Sequence, residues 1–164
     1  MTKKQKASGQ TTGIRTTHSK ELRLQIGIHS VQEEVSNVVF EISGWLNTHC
    51  VEENTVGELE LVMAEVLNNV VEHAYLYAED GEIDILVRLR NDRLRATITD
   101  KGRKFDGPPP LKVMDVENMA FEELPEGGFG WNLIRTLMDK IEFEHKNHKN
   151  KLTLTRNLTG KVAA

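Results

Sequence analysis

The spacing of hydrophobic residues changes several times along this chain, and each change marks an element. Leu22, Leu24, Ile26 and Ile28 alternate with Arg23, Gln25 and Gly27, the two-residue period of a strand with one buried face. From Val31 the period lengthens. Val31, Val35, Val38, Val39, Ile42 and Leu46, with Trp45 beside them, form the buried stripe of a helix, and Ser30 with Glu33 predicts a capping box at its start. A second box, Thr55 and Glu58, opens a run to Tyr77 in which Leu59, Val62, Met63, Val66, Val70 and Ala74 recur at three- and four-residue spacing, as in one amphipathic helix. Two alternating runs follow, Ile83 to Leu89 and Leu94 to Ile98, joined by Asn91-Asp92 as a two-residue hairpin turn.

Those paired strands carry one apolar face and one charged face, the latter holding Asp84, Arg88, Arg90, Arg93 and Arg95, so helices are needed on one side only. The expected fold is α+β: a two-layer α/β sandwich with a mostly antiparallel sheet and helices on one face. Between residues 100 and 130 periodicity stops. All four prolines (108, 109, 110 and 125) and five glycines (102, 107, 127, 128 and 130) fall there, the composition of a long functional loop. A short helix with Leu133, Ile134, Leu137 and Met138 resumes at Trp131. Ile141, Phe143 and His145, then Leu152 and Leu154, predict a closing hairpin with its turn at 146–150.

Charge and composition narrow the class. The chain of 164 residues has formal charge −4, but residues 1–20 hold five cations and no acid, leaving the remainder at −9. Residues 1–20 are expected as a disordered basic tail, 21–157 as one domain and 158–164 as a second tail. An acidic body is a poor nucleic-acid surface. The single cysteine, Cys50, excludes an internal disulfide and a cysteine-based zinc site and suits a reducing compartment. Neither a membrane-length apolar run nor a secretory signal is seen, so a cytoplasmic location is expected.

Candidate chemistry lies first on the central helix. Glu65, Asn69 and His73 recur at i, i+4, i+8 and share one face, where carboxylate, carboxamide and imidazole can orient a water, bind a hard cation or hydrogen-bond an anion. Such a row also simply solvates the outside of many helices. Gly127-Gly128-Phe129-Gly130 leads into a helix, whose unpaired N–H groups suit phosphate. Asp100 ends a strand before Gly102, as a turn former or as an acceptor for an amino group. The P-loop and His-Arg-Asp kinase signatures are both absent.

Taken in order, Glu65…Asn69…His73-Ala74, Asp100-x-Gly102-x-x-Phe105 and Glu126-Gly-Gly-x-Gly130 with Leu137-Met138-Asp139 resemble the ATPase family of gyrase, Hsp90, histidine kinases and MutL. Within it the chain is most similar to bacterial anti-sigma-factor serine kinases, over about Leu22 to Arg156. The resemblance implies ATP and Mg2+ as cofactors, with Asn69 as the metal ligand and Glu65 as general base. It implies Asp100 at the adenine amino group, with Gly102, Phe105 and Thr153 beside it, Gly128 and Gly130 at the phosphates, and 107–126 as a lid. His73 is left between ordering the phosphate region and packing. The implied activity is phosphorylation of a STAS-domain anti-sigma-factor antagonist together with sequestration of a sigma factor, in a homodimer, without direct nucleic-acid or membrane contact. A nucleotide-binding interaction module with little kinase activity is the alternative. Phe129, where the family often has Arg, and Trp131-Asn132, in place of a small or aliphatic pair, depart from the pattern.

Overall fold

Alternation becomes sheet and three-to-four spacing becomes helix across residues 21–108 and 129–158, the part of the chain that the computed structural model describes. The order is β1 (Leu22–His29), α1 (Gln32–Thr48), α2 (Glu53–Asn69), a π-helical turn (Val70–Ala74), β2 (Glu82–Arg90), β3 (Arg93–Asp100), α3 (Phe129–Leu137), β4 (Lys140–Lys146) and β5 (Lys149–Asn157). The five strands lie in the order β1-β2-β3-β5-β4, every neighbouring pair antiparallel. One face of the sheet packs on the helices. Ile83, Ile85, Val87, Leu89, Leu94, Ala96, Ile98, Leu152 and Leu154 meet Val35, Ile42, Leu46, Leu59, Val62, Val66, Leu67 and Ile134 there. The expected two-layer sandwich is the fold observed. Residues 1–20, expected as a tail, 109–128, within the expected functional loop, and 159–164 lie outside the described residues. Leu158, expected to start a tail, is buried, and its N–H donates to the Asp92 carbonyl at 2.6 Å.

Neither capping box forms. Val31 occupies the N-cap of α1 without a side-chain bond. Ser30 is buried instead, donating to the Ala78 carbonyl and accepting from Gly81 N–H at 3.0 Å. α2 starts at Glu53, two residues before Thr55, with Glu52 as an unbonded N-cap. Thr55 is buried, and the Glu58 carboxylate reaches across to Arg156 of β5. In both places long-range partners use side chains that local spacing assigns to the helix end.

The run to Tyr77 is not one uniform helix. After Asn69 the backbone widens into the π turn, closed by Tyr75 N–H to the Val70 carbonyl at 3.1 Å. It ends at Leu76 and Tyr77, both at positive φ (53° and 63°). Single π turns commonly sit at functional sites, because they shift the side chains that follow relative to those before. The second hairpin is also tighter than expected: Asn147 and His148, at φ 52° and 57°, are its whole turn. That releases Lys149 and Asn150 into β5. No helix among the described residues is long and apolar enough to cross a membrane.

Candidate functional site

β3 delivers Asp100 to the helix-facing side of the sheet, where it is buried. Its Oδ1 accepts hydrogen bonds from Gly102 N–H at 2.9 Å and from Asn150 Nδ2 at 2.8 Å. Burial pushes the carboxyl above its usual range, and these two bonds, with the nearby His145, oppose the rise.

Asn150 is the hub of this corner. Its amide nitrogen donates to Asp100 and to the Arg103 carbonyl (2.9 Å), while its oxygen accepts from Phe105 N–H at 3.1 Å and meets His145 Nδ1 at 2.8 Å. Every hydrogen-bonding position of a carboxamide is used. The strap after β3 is clasped from the other side as well. Arg103 N–H donates to the Ala74 carbonyl at 2.8 Å, and Lys101 N–H donates to the Tyr75 hydroxyl at 2.9 Å, which itself donates to the Glu82 carbonyl. A Cβ on Gly102 would lie 2.6 Å from the Ala74 carbonyl oxygen, so glycine is what allows the strap to approach the π turn.

Above this floor is a cavity of about 330 Å³, the size of a small-molecule pocket. Its apolar walls are Val66, Val70, Ile98, Phe105, Trp131, Phe143 and Leu152. Phe105 stacks on Trp131 (centroids 5.6 Å apart, 16° between planes) and meets Phe143 edge-on at 4.9 Å. Asp100 and Asn150 lie at one side. Asn69, His73, Arg103 and Lys104, the last paired with Asp106 at 3.1 Å, bring the remaining polar and charged groups.

The helical row is less uniform than its spacing. Asn69 faces the cavity with its Nδ2 buried and without a partner. His73 is exposed on the lining, within the widened turn. Glu65 is half-buried and off the lining, against the start of α3, where any Cβ on Gly130 would overlap its carboxylate. Asn69 could offer an oxygen to a hard cation that keeps waters and phosphate oxygens as its other ligands. Among the described residues no cluster of three or more His, Cys, Asp or Glu could hold a metal by itself.

Sequence reasoning therefore brings Asn69, His73, Asp100 and Phe105 to one cavity, with Gly102 beneath and Glu65 and Gly130 touching beside it. Thr153 is not brought there. It pairs with Thr97 and Glu142 and lines a shallow depression on the opposite face of the sheet with Arg88 and Arg95. Strand alternation puts residues 150, 152 and 154 inward and 153 outward. Gly128 lies outside the described residues, as does the expected lid beyond Pro108. The residue missed is Asn150. It is in phase with Leu152 and Leu154, and a two-residue turn at Asn147-His148 would have placed it in the strand.

Fold and cavity together define a two-layer α/β domain of ATPase type. The model of the histidine kinase-like ATPase domain matches residues 28–156, and the chain belongs to that family. It is 32% identical over 132 residues to the serine-protein kinase RsbW of Bacillus cereus, covering 75% of this chain and 78% of that one. Against the serine-protein kinase RsbW of Halalkalibacterium halodurans it is 32% identical over 124 residues, covering 74% and 75%. Among solved structures, the RsbU and RsbW domains of a Mycobacterium tuberculosis protein match with TM-score 0.59 at 18% identity, over 87% of this chain and 33% of that one. A chain of the SiaB-SiaC complex of Pseudomonas aeruginosa matches with TM-score 0.57 at 13% identity, over 80% and 88%. At those identities the two structures bear on fold alone.

Proposed function

We propose that this chain is an ATP-dependent protein-serine kinase and anti-sigma factor, which phosphorylates a STAS-domain antagonist and sequesters a sigma factor in the cytoplasm. The observation that supports it most is the buried Asp100, with its Oδ1 bonded by Asn150 and Gly102, in the lining of a largely apolar cavity that Asn69 lines as well. A carboxylate held in that way can accept a hydrogen bond from the amino group of adenine, while Ile98, Phe105 and Trp131 offer apolar surface to a base. Asn69 would hold magnesium, which when bound neutralises charge on the phosphates. Arg103, Lys104 and the start of α3 would face those phosphates. Glu65, one turn from Asn69, would take the proton from the attacking serine hydroxyl. The RsbW relatives, named serine-protein kinases, support the reaction class. The antagonist, the sigma factor and the homodimer come from the family resemblance.

One observation favours a second reading, a nucleotide-binding module with little transfer. Glu65 rests against Gly130 and does not line the cavity. The two readings separate in one experiment: calorimetric titration with ATP with and without magnesium, then incubation with STAS-domain proteins and mass spectrometry for phosphoserine. The kinase reading expects binding, phosphoserine on one antagonist, and a loss of roughly 10²-fold or more in transfer for Glu65→Ala with binding retained. Full transfer by Glu65→Ala would remove it as the base. Binding without transfer to any antagonist would select the module, and absence of binding would overturn both.

A further inference from the structure

One row of side chains crosses three neighbouring strands at the cavity. Asp100 of β3, Asn150 of β5 and His145 of β4 stand directly opposite one another, with Asn150 in the middle and only 3% exposed. A buried carboxamide has two orientations of the same shape, and only its partners distinguish oxygen from nitrogen. Here two backbone groups decide. Phe105 N–H can only donate and the Arg103 carbonyl can only accept, so Oδ1 must face the first and Nδ2 the second. The rest follows without further choice. The second hydrogen of Nδ2 goes to Asp100 Oδ1, and the second lone pair of Oδ1 meets His145 Nδ1, which must therefore carry a hydrogen (2.8 Å each).

The consequence reaches Asp100. Its Oδ1 meets two donors that cannot turn round, Gly102 N–H and Asn150 Nδ2, so the atom in that place must be an acceptor. Its Oδ2 takes no hydrogen bond among the described residues and is left for a ligand. Burial favours the protonated carboxyl, and Asn150 opposes that most, ahead of Gly102 and His145. We propose that Asn150 is the positioning residue for base selectivity: by fixing Asp100 as an acceptor, it makes the pocket take a purine with an amino group, as in adenine, and refuse one with a carbonyl in its place. This rests on the ATP reading above and goes past it, because a carboxyl alone does not settle what it offers the base. Protonated, it would donate, and so suit the carbonyl. The same amide holds Phe105, a wall of the cavity, so one side chain sets both the hydrogen-bonding edge and the apolar face offered to the base.

The test compares the dissociation constants of ATP and ITP for the full chain by calorimetry, at one magnesium concentration and near neutral pH. ITP carries a carbonyl where ATP carries the amino group, and the parent should prefer ATP. Asp100→Asn should invert that preference. With two fixed donors at Oδ1, the new amide must put its nitrogen in the place of Oδ2, so ITP should bind about tenfold more tightly than ATP. Asn150→Ala should shrink the parent's preference and, added to Asp100→Asn, shrink the inverted one too. Asn150→Asp, of the same shape but with an acceptor facing residue 100, should abolish the inversion, and it serves if the alanine variant fails to fold by circular dichroism. A merely structural Asn150 would weaken both nucleotides alike and leave every ratio unchanged, which overturns the proposal. So does an Asp100→Asn variant that still prefers ATP. An inversion that survives both changes at Asn150 would assign the orientation to Gly102 alone, and also overturns it. A parent that binds both nucleotides equally leaves the ATP reading standing and removes this proposal, whereas one that binds neither overturns both.

Discussion

The two ends of the cavity are built on opposite plans. At the Asp100 end the network is closely tied: Asn150 uses its whole amide, Asp100 Oδ1 accepts twice, Gly102 and Arg103 are tied to Asp100 and Ala74, and the Tyr75 hydroxyl bonds both Lys101 and Glu82. At the Asn69 end one amide nitrogen is buried without a partner, His73 is exposed, and Glu65 merely touches α3. A saturated network is rigid and expensive to disturb, whereas an unsaturated one is completed by whatever binds. The lesson is that the Asp100 end, which in the proposed function faces the base, is preorganised, and the Asn69 end, which there faces the phosphates, is left for a ligand to finish. Substitutions at the first should therefore act on stability, and at the second on function.

The largest effect is expected from Asn150→Leu. A leucine fills similar volume but withdraws one donor from Asp100 and leaves the Arg103 carbonyl and Phe105 N–H without their partner, a loss of about 3 kcal/mol in urea denaturation. If stability is unchanged, the floor is not the rigid end. The two glycines give a finer contrast. A methyl at Gly102 meets the backbone of Ala74, which cannot step aside, so Gly102→Ala should cost about 1–3 kcal/mol. At Gly130 the obstacle is the Glu65 side chain, which can swing away. Gly130→Ala should keep its melting temperature closer to that of the parent while phosphoryl transfer falls, since the carboxylate has moved. Asn69→Ala is smaller again in stability, within about 0.5 kcal/mol, because the amide it removes has no partner. Magnesium-dependent ATP affinity should nevertheless drop. A large destabilisation there would mean that both ends are structural.

Much of this contrast was legible in the chain, unevenly. Strands and their faces were readable because β2 and β3 alternate cleanly, and the site row because Glu65, Asn69 and His73 share a helical period. Capping was not readable. Ser30 and Glu58 are spent on Ala78, Gly81 and Arg156, partners 48, 51 and 98 residues away, which no local window contains. The π turn was hidden for a related reason: apolar spacing at Val70 and Ala74 suits an α-helix, and the partner of the Ala74 carbonyl, Arg103 N–H, lies on the strap after β3, beyond any local window. Asn150 was lost to the turn because a loop of 146–150 looks polar throughout, and two positive-φ residues without glycine leave no obvious mark. Thr153 shows the cost of carrying a role by resemblance without counting phase along the strand.

The smallest effect, and the one that joins the two ends, is in pH. Burial raises Asp100 above the ordinary carboxylate range. Between the unfolded value of about 3.9 and that raised folded value, the native chain holds more proton than the unfolded one, so stability declines as pH rises through the window. Asp100→Asn should abolish that decline. Nucleotide binding runs the other way. An amino group needs an ionised acceptor, so ATP affinity should fall on acidification sooner than an ordinary carboxylate would allow. ITP, which carries a carbonyl in place of the amino group, separates this from general effects of acid on the phosphates or the fold. Its affinity should be weaker than that of ATP near neutrality and should converge with it as Asp100 protonates. If ATP and ITP instead lose affinity in parallel, the proton is acting at the phosphate end, and Asp100 is a structural acid rather than the group that reads the base.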